Sequence, residues 1–121
     1  MQLKKIFLLA IIFTLLNCNM QTLKNVRVIE AHEFKKEISV KNIQLIDVRT
    51  AAEYKQGAIA NAKNFDFYQS NFKEKIKTLD KTKPVYLYCK SGGRSKSASQ
   101  VLENAGFKQI IDLKGGYDNW K

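Results

Sequence analysis

A cysteine followed almost at once by glycines stands where an apolar segment gives way to a helical pattern. Cys89 follows the apolar run 84–88, which is typical of a buried strand, and residues 95–105 beyond it are typical of a helix. Glycines at such a junction let the backbone turn without a clash at Cβ, so a row of N–H groups can face one sulfur atom. We therefore predict an active site with a Cys89 thiolate as nucleophile, in the loop Cys89-Lys90-Ser91-Gly92-Gly93-Arg94-Ser95.

The thiolate needs stabilisation, and the sequence indicates the backbone rather than a histidine as its source. His32, the one histidine of the chain, lies far from Cys89 in sequence and is predicted at the surface or at a helix start. The expected stabilisers are the N–H groups of residues 90–95, the N-terminal dipole of the following helix and nearby positive charge. Ser95 is predicted to cap that helix. Lys90 either attracts anionic donors or is an ordinary solvated lysine.

Arg94 ends the loop and is expected to hold it in shape through a carboxylate. Asp47, at the end of another predicted strand, is the preferred partner, because an arginine beside a thiolate site needs a group that orients it. In the alternative interpretation, Asp47 caps the turn before Thr50.

Strand and helix patterns alternate along the chain. Strand patterns cover residues 26–29, 43–48, 59–64, 84–88 and 109–113. Helical patterns cover residues 31–39, a segment that begins with a Thr50–Glu53 capping box, 68–79, 95–105 and 117–120. With right-handed crossovers, this order predicts an α/β fold, a small, mostly parallel five-stranded sheet with helices on both faces. Asp47 and Cys89 then lie at the carboxyl ends of strands, where such sheets bind ligands.

The start of the chain has the features of an export signal. Lys4 and Lys5 precede an apolar run at residues 6–16, which is too short to span a bilayer comfortably but suits a signal peptide. Residues 15–18, Leu-Leu-Asn-Cys, resemble the lipobox of bacterial lipoproteins, with Asn17 in place of the usual small residue.

This signal predicts the organisation of the protein. Residues 1–17 would be a lipoprotein-type signal peptide, residues 18–25 a tether and residues 26–121 one folded domain. Lipidation of Cys18 would anchor an exported protein to a membrane of the cell envelope or periplasm. A plain signal peptide or an uncleaved anchor, with Cys18 incidental, is the alternative.

Charge and cysteine content restrict the partners. The formal net charge is +10, but the lysines are scattered and no nucleic-acid-binding motif accompanies them, so we expect small anions and lipid rather than nucleic acid as partners. The chain has two cysteines. If Cys18 carries lipid, Cys89 has no partner for an internal disulfide, and a lone thiol in an oxidising compartment favours a functional role.

Four motifs together resemble the single-domain rhodanese-like sulfurtransferases. In chain order they are Leu45-Ile46-Asp47-Val48-Arg49, Glu53-Tyr54 with Gly57-Ala58-Ile59, the Cys89–Ser95 loop, and Leu113-Lys114-Gly115-Gly116-Tyr117-Asp118-Asn119-Trp120. The resemblance covers about residues 26–121. It departs from the family at Ala58, where a histidine is common, and at residues 60–62, where the family often has Gly-Ala.

The resemblance implies a reaction and its partners. Cys89 would take a sulfane sulfur from a small anionic donor, such as thiosulfate or a low-molecular-weight persulfide, and pass it to a thiol, a cyanide-like acceptor or a protein. Asp47 and Arg49 would support the loop, and no metal or cofactor is implied. A persulfide carrier or a redox- or sulfur-sensing binding module is the alternative. Four residues separate Cys89 from Arg94, one fewer than in phosphatase loops, so phosphatase or arsenate reductase activity ranks lower.

Overall fold

A computed structural model describes residues 23–120, so the predicted signal peptide and Cys18 lie outside the described range. The strands are β1 (Val26–Ile29), β2 (Gln44–Asp47), β3 (Lys63–Asn64), β4 (Val85–Tyr88) and β5 (Ile110–Leu113). The helices are α1 (Ala31–Glu37), α2 (Ala51–Lys55), α3 (Phe72–Ile76) and α4 (Gly93–Asn104), followed by a 3-10 helix at Gly116–Asn119. Among residues 23–120, no helix has the length and apolar character that crossing a membrane requires.

The described strands form one parallel sheet, which confirms the predicted α/β architecture. Its strand order is β1-β5-β4-β2-β3. All four residues of the central strand β4 are buried, as expected for a strand covered on both faces. Because the strands are parallel, the carboxyl ends of β2, β4 and β5 meet at one rim of the sheet, and Cys89 follows β4 at this rim.

Hydrophobic side chains fill both sides of the sheet. Leu87 of β4 packs into a cluster with Ala98 and Leu102 of α4, whereas Tyr86 and Tyr88 belong to a second cluster. This alternation follows from the two-residue repeat of a strand, and it places α4 on the face toward which Leu87 points.

One predicted helix is shorter in the structure. The pattern at residues 68–79 predicted a helix of three turns, but α3 covers only Phe72–Ile76. The Asp66 carboxylate accepts the backbone N–H of Tyr68 at 2.9 Å in a turn before α3. After α3, the N–H groups of residues 77–79 donate to carbonyls three residues back, so the chain continues as tight turns.

The predicted capping box at the start of α2 is confirmed. The Thr50 hydroxyl accepts the backbone N–H of Glu53 at 3.2 Å, and the Glu53 carboxylate accepts the backbone N–H of Thr50 at 3.3 Å. Two otherwise unpaired N–H groups are thereby satisfied. The box also fixes Glu53 in space, which matters because this carboxylate contacts the cysteine loop.

Candidate active site

Cys89 directly follows the central strand and is buried, with 1% of its surface exposed. Its Sγ accepts the backbone N–H of Gly92 at 3.0 Å. The Ser95 Oγ lies 3.4 Å from the same sulfur. In the second contact the sulfur is the donor, so the Gly92 N–H is the group that donates to the sulfur in this loop.

Gly92 makes the turn that aims this N–H at the sulfur. Its φ is +116°, a conformation that residues with a Cβ rarely adopt, and it is the N-cap of α4. The twelve-residue helix therefore begins beside Cys89, and its positive N-terminal end adds to the stabilisation of negative charge there.

The prediction that Ser95 caps α4 is wrong. The helix begins at Gly93, because the left-handed conformation of Gly92 already directs the chain into the helix. Ser95 is then the third helical residue and is fully buried. Its hydroxyl lies 3.2 Å from the carbonyl oxygen of Gly92, to which it can donate, in addition to its contact with Cys89.

The predicted pairing of Arg94 with Asp47 is also wrong. Arg94 instead forms a two-pronged ion pair with Glu53, with N–O distances of 2.6 and 3.0 Å. Asp47 is not available to Arg94, because Arg49 occupies its oxygens. The Arg94 guanidinium beside Glu53 lowers the pKa of that carboxyl to about 2. Arg94 therefore connects the cysteine loop to α2.

Asp47 and Arg49 form a buried ion pair at the rim, next to the end of β4. Arg49 Nη2 lies 2.6 Å from Asp47 Oδ2, and the backbone N–H of Arg49 donates to Oδ1 at 2.9 Å. The second bond agrees with the alternative interpretation, in which Asp47 caps the turn before Thr50. Arg49 also donates to the carbonyl of Gly57 at 2.7 Å, and its guanidinium carbon lies 4.4 Å from the Tyr117 ring centroid.

The C-terminal turn supports the cysteine loop from behind, a role that the sequence interpretation missed. The backbone N–H groups of Tyr117 and Asp118 donate to the carbonyls of Cys89 and Lys90 at 2.8 and 3.0 Å. A Cβ on Gly116 would lie 2.5 Å from both carbonyl oxygens. The adjacent glycines of the sequence are the signal for this close approach.

Lys90 lies on the surface of the loop. Its Nζ is 3.0 Å from the Asp118 carboxylate, and both side chains are about half exposed. An exposed pair of this kind contributes little to stability, so the ammonium can exchange Asp118 for an anion at the rim.

An open cavity of about 400 Å³ lies in front of the loop. Its lining combines aromatic rings, hydroxyls and the loop itself: Phe67, Tyr68, Cys89, Ser91, Gly93, Arg94 and Ser97. A small anion entering here would meet the sulfur close to the N-terminal end of α4.

A second buried carboxylate near Cys89 was also missed from the sequence. Asp112 lies on β5, in register with Leu87 of β4, and is 4% exposed. Burial raises the pKa of Asp112 to about 6, against the opposing effect of a hydrogen bond with Ser95. An acidic residue within the apolar run 110–113 is the signal that could have identified it.

A parallel sheet of this order, with a buried cysteine after its central strand and a glycine turn opening the next helix, defines the class of domain. The sequence matches the family described as "Rhodanese-like domain" over residues 30–121, and the chain belongs to this family.

Relatives and solved structures agree with this assignment. The chain is 36% identical to the thiosulfate sulfurtransferase GlpE of Coxiella burnetii, over 81% of this chain and 87% of that protein. It is 42% identical to the uncharacterized protein YqhL of Bacillus subtilis, over 64% of this chain and 60% of that protein. A rhodanese-related protein from Thermoplasma volcanium superimposes with a TM-score of 0.68 at 34% identity, covering 78% of this chain and 89% of that one.

Proposed function

We propose that this protein is a sulfurtransferase that carries a sulfane sulfur as a persulfide on Cys89. The observation that carries the proposal is the buried Sγ, which accepts the Gly92 N–H at 3.0 Å beside the N-terminal end of α4. A related chain of similar length bears the name thiosulfate sulfurtransferase, which supports the same reaction class.

The proposed cycle has two displacements at sulfur. The Cys89 thiolate attacks the outer sulfur of a donor such as thiosulfate, an S–S bond to Sγ forms, and sulfite leaves with the electrons of the broken bond. An acceptor nucleophile then attacks the outer sulfur of the persulfide, and the Cys89 thiolate is regenerated. Both steps keep negative charge near the loop, where N–H groups and the helix end stabilise it.

Two features favour sulfur transfer over phosphoryl chemistry. Four residues separate Cys89 from Arg94, which gives a short loop around the sulfur. The Glu53 carboxylate, which accepts from both terminal nitrogens of Arg94, also places a negative charge beside the guanidinium that would bind a phosphoryl oxyanion. We therefore expect no appreciable phosphatase or arsenate reductase activity.

A persulfide carrier that passes sulfur to another protein is the second candidate. Tyr68 at the cavity mouth is 68% exposed, although it is a large hydrophobic side chain. Exposed aromatic residues beside a reactive centre are typical of surfaces that bind partner proteins. The same Cys89 persulfide would serve this function.

The proposed location is a membrane surface of the cell envelope, reached through export and a lipid on Cys18. The support is the sequence pattern alone: the apolar run at residues 6–16 and a cysteine two residues after its end. Metabolic labelling with a fatty acid tests this location. Label that depends on Cys18 supports it, and label that survives in Cys18→Ser contradicts it.

Mass spectrometry after treatment with thiosulfate tests the sulfur transfer. We expect one added sulfur on Cys89, which cyanide releases as thiocyanate. Cys89→Ser should abolish the sulfur adduct and the turnover. Cys18→Ser, the matched cysteine control, should retain both the adduct on Cys89 and the turnover. An unmodified Cys89 with hydrolysis of aryl phosphates would contradict the proposal.

A further inference from the structure

Tyr68 places an exposed aromatic ring at the mouth of the cavity that contains Cys89. The residue is 68% exposed, and it lines the open cavity of about 400 Å³ together with Phe67, Cys89 and Arg94. A single exposed apolar side chain is common on protein surfaces and needs no explanation by itself. Tyr68 differs because its backbone and its ring are both held in place, in the same cavity as the reactive sulfur.

The backbone around Tyr68 is anchored to the rim of the sheet. The N–H of Phe67 donates to the carbonyl of Val48, directly after β2, at 3.1 Å. The N–H of Tyr68 donates to the buried carboxylate of Asp66 at 2.9 Å. Two consecutive backbone groups are thus bonded to fixed partners, which restricts the direction in which the Tyr68 side chain leaves the chain.

Two side chains then restrict the orientation of the ring. The Phe67 ring centroid lies 6.1 Å from that of Tyr68, and the Phe67 ring packs edge-on against Phe72 of the core at 5.2 Å. The Arg94 guanidinium carbon lies 5.7 Å from the Tyr68 ring centroid, within the range of a cation–π contact. Arg94 is in turn held by Glu53 at 2.6 Å. The ring is therefore connected both to the core and to α2.

The lining of the cavity is suited to an organic group. Among the described residues that line it, Arg94 is the charged one, and both terminal nitrogens of its guanidinium already pair with Glu53. The rest of the lining consists of aromatic rings, hydroxyls and the cysteine loop itself. A volume of about 400 Å³ lies in the size range of sites that bind organic ligands, and thiosulfate fills a small part of it.

We propose that Tyr68 is a specificity-determining residue, which packs against the organic group of the sulfur donor. The inference rests on the sulfur transfer of the proposed function and names its donor class: organic molecules in which the transferred sulfur is bonded to a second sulfur that carries an aromatic or apolar group R. The transferred sulfur enters the loop, so R remains in the outer part of the cavity, where Tyr68 lies.

The transfer step is balanced for this class of donor. With a thiosulfonate, R–SO₂–S⁻, the Cys89 thiolate attacks the outer sulfur and an S–S bond to Sγ forms. The bond between the two donor sulfurs breaks, and the sulfinate R–SO₂⁻ leaves with its electron pair. With a persulfide, R–S–S⁻, the thiolate R–S⁻ leaves in the same way. Neither reaction needs a proton or an external oxidant.

Two donors that differ only in R test this inference. Benzenethiosulfonate and methanethiosulfonate carry the same charge and the same transferable sulfur, and kcat/KM is measured for each with cyanide as the acceptor. The ratio of the two values is compared between proteins, because the intrinsic reactivity of each donor is the same in every variant. We expect Tyr68→Ala to lower the benzene-to-methane ratio by about three- to tenfold, the effect of one aromatic contact.

Two further variants identify the ring as the cause. Tyr68→Phe keeps the ring and should keep the ratio of the parent protein. Val40→Ala also removes an exposed apolar side chain, since Val40 is 64% exposed. It precedes β2, at the rim of the sheet opposite to Cys89, and its replacement should leave the ratio unchanged.

An unchanged ratio in Tyr68→Ala overturns the inference, whether both rates stay the same or fall together, because Tyr68 would then have at most a structural role. A fall in Tyr68→Phe or Val40→Ala as large as in Tyr68→Ala overturns it too, since the ring would not be the cause. These results leave sulfur transfer itself in place. If the parent protein transfers sulfur from neither thiosulfonate nor thiosulfate, the proposed function is wrong, and this inference is wrong with it.

Discussion

Two aspartates on either side of the central strand have opposite surroundings. Asp47 at the end of β2 and Asp112 on β5 are both buried, at 0% and 4% exposure. Asp47 receives three N–H groups of Arg49, from the backbone and the guanidinium. Asp112 keeps an oxygen with no partner. A fully bonded carboxylate maintains the shape of the rim, whereas an under-bonded one retains a proton affinity that chemistry can use.

The largest expected effect comes from breaking the fully bonded pair. Asp47→Asn leaves the buried Arg49 guanidinium without a counter-charge, so we expect the free energy of unfolding to fall by about 3–5 kcal/mol. Urea unfolding followed by circular dichroism measures it. An unfolding midpoint equal to that of the parent would show that Asp47 does not maintain the rim.

Replacing the under-bonded carboxylate of Asp112 should change the free energy of unfolding in the direction opposite to that expected for Asp47→Asn. The pKa of Asp112 is raised from 3.8 to about 6 in the folded chain, so its stabilising contribution is full below pH 4 and is lost as the pH rises through 6. Asp112→Asn should therefore increase the free energy of unfolding at pH 8 by about 1–3 kcal/mol. The gain should shrink toward zero at pH 4. A loss of stability at pH 8 would contradict the raised pKa.

Glu53 is an intermediate case, since it is partly exposed and bonded to Arg94. Glu53→Gln retains a side chain that can complete the capping box but removes the charge, and we expect a loss of about 1 kcal/mol at pH 7. The pKa of Glu53 is lowered to about 2, so the stability it provides is present above pH 4.5 and is lost as the pH falls through 2. Melting curves of the variant and parent should approach each other as the pH falls through 2 and coincide below it.

The smallest effect is expected at an exposed pair far from the rim. Glu74 and Lys77 on the surface of the α3 segment are 2.9 Å apart, and both side chains are about 70% exposed. Glu74→Gln should change the free energy of unfolding by less than about 0.5 kcal/mol, because solvent and salt screen the pair. Glu74→Gln is the reference for the three variants of Asp47, Asp112 and Glu53. A large effect of this variant would show that burial does not determine the size of the effects.

The sequence predicted those features that depend on neighbouring residues. The capping box could be identified because Thr50 and Glu53 are three residues apart, and the position of Cys89 followed from an apolar run that ends at glycines. The partner of Arg94 could not be identified in this way. Two acidic residues, Asp47 and Glu53, lie near the same rim, and the choice depends on Arg49 having already engaged the first of them.

The positions of Ser95 and Asp112 relative to Cys89 and α4 could not be predicted from the sequence, for a related reason. The prediction of Ser95 as a helix cap fits its place after Arg94, but the φ of Gly92 moves the start of the helix to Gly93. Asp112 faces α4 only because β5 pairs with β4 in a register that aligns it with Leu87. A strand register joins segments far apart in sequence, and no local pattern specifies it.

The bonds from the C-terminal turn to the carbonyls of Cys89 and Lys90 have a consequence for the orientation of the loop. In a planar trans peptide the carbonyl and the next N–H point in opposite directions. Holding these two carbonyls toward the turn therefore rotates the N–H groups of Lys90 and Ser91 away from it. The polarity of the loop is thus set by two amides, those of Tyr117 and Asp118, that do not contact the sulfur themselves. The C-terminal turn therefore orients the peptide groups of the reactive loop.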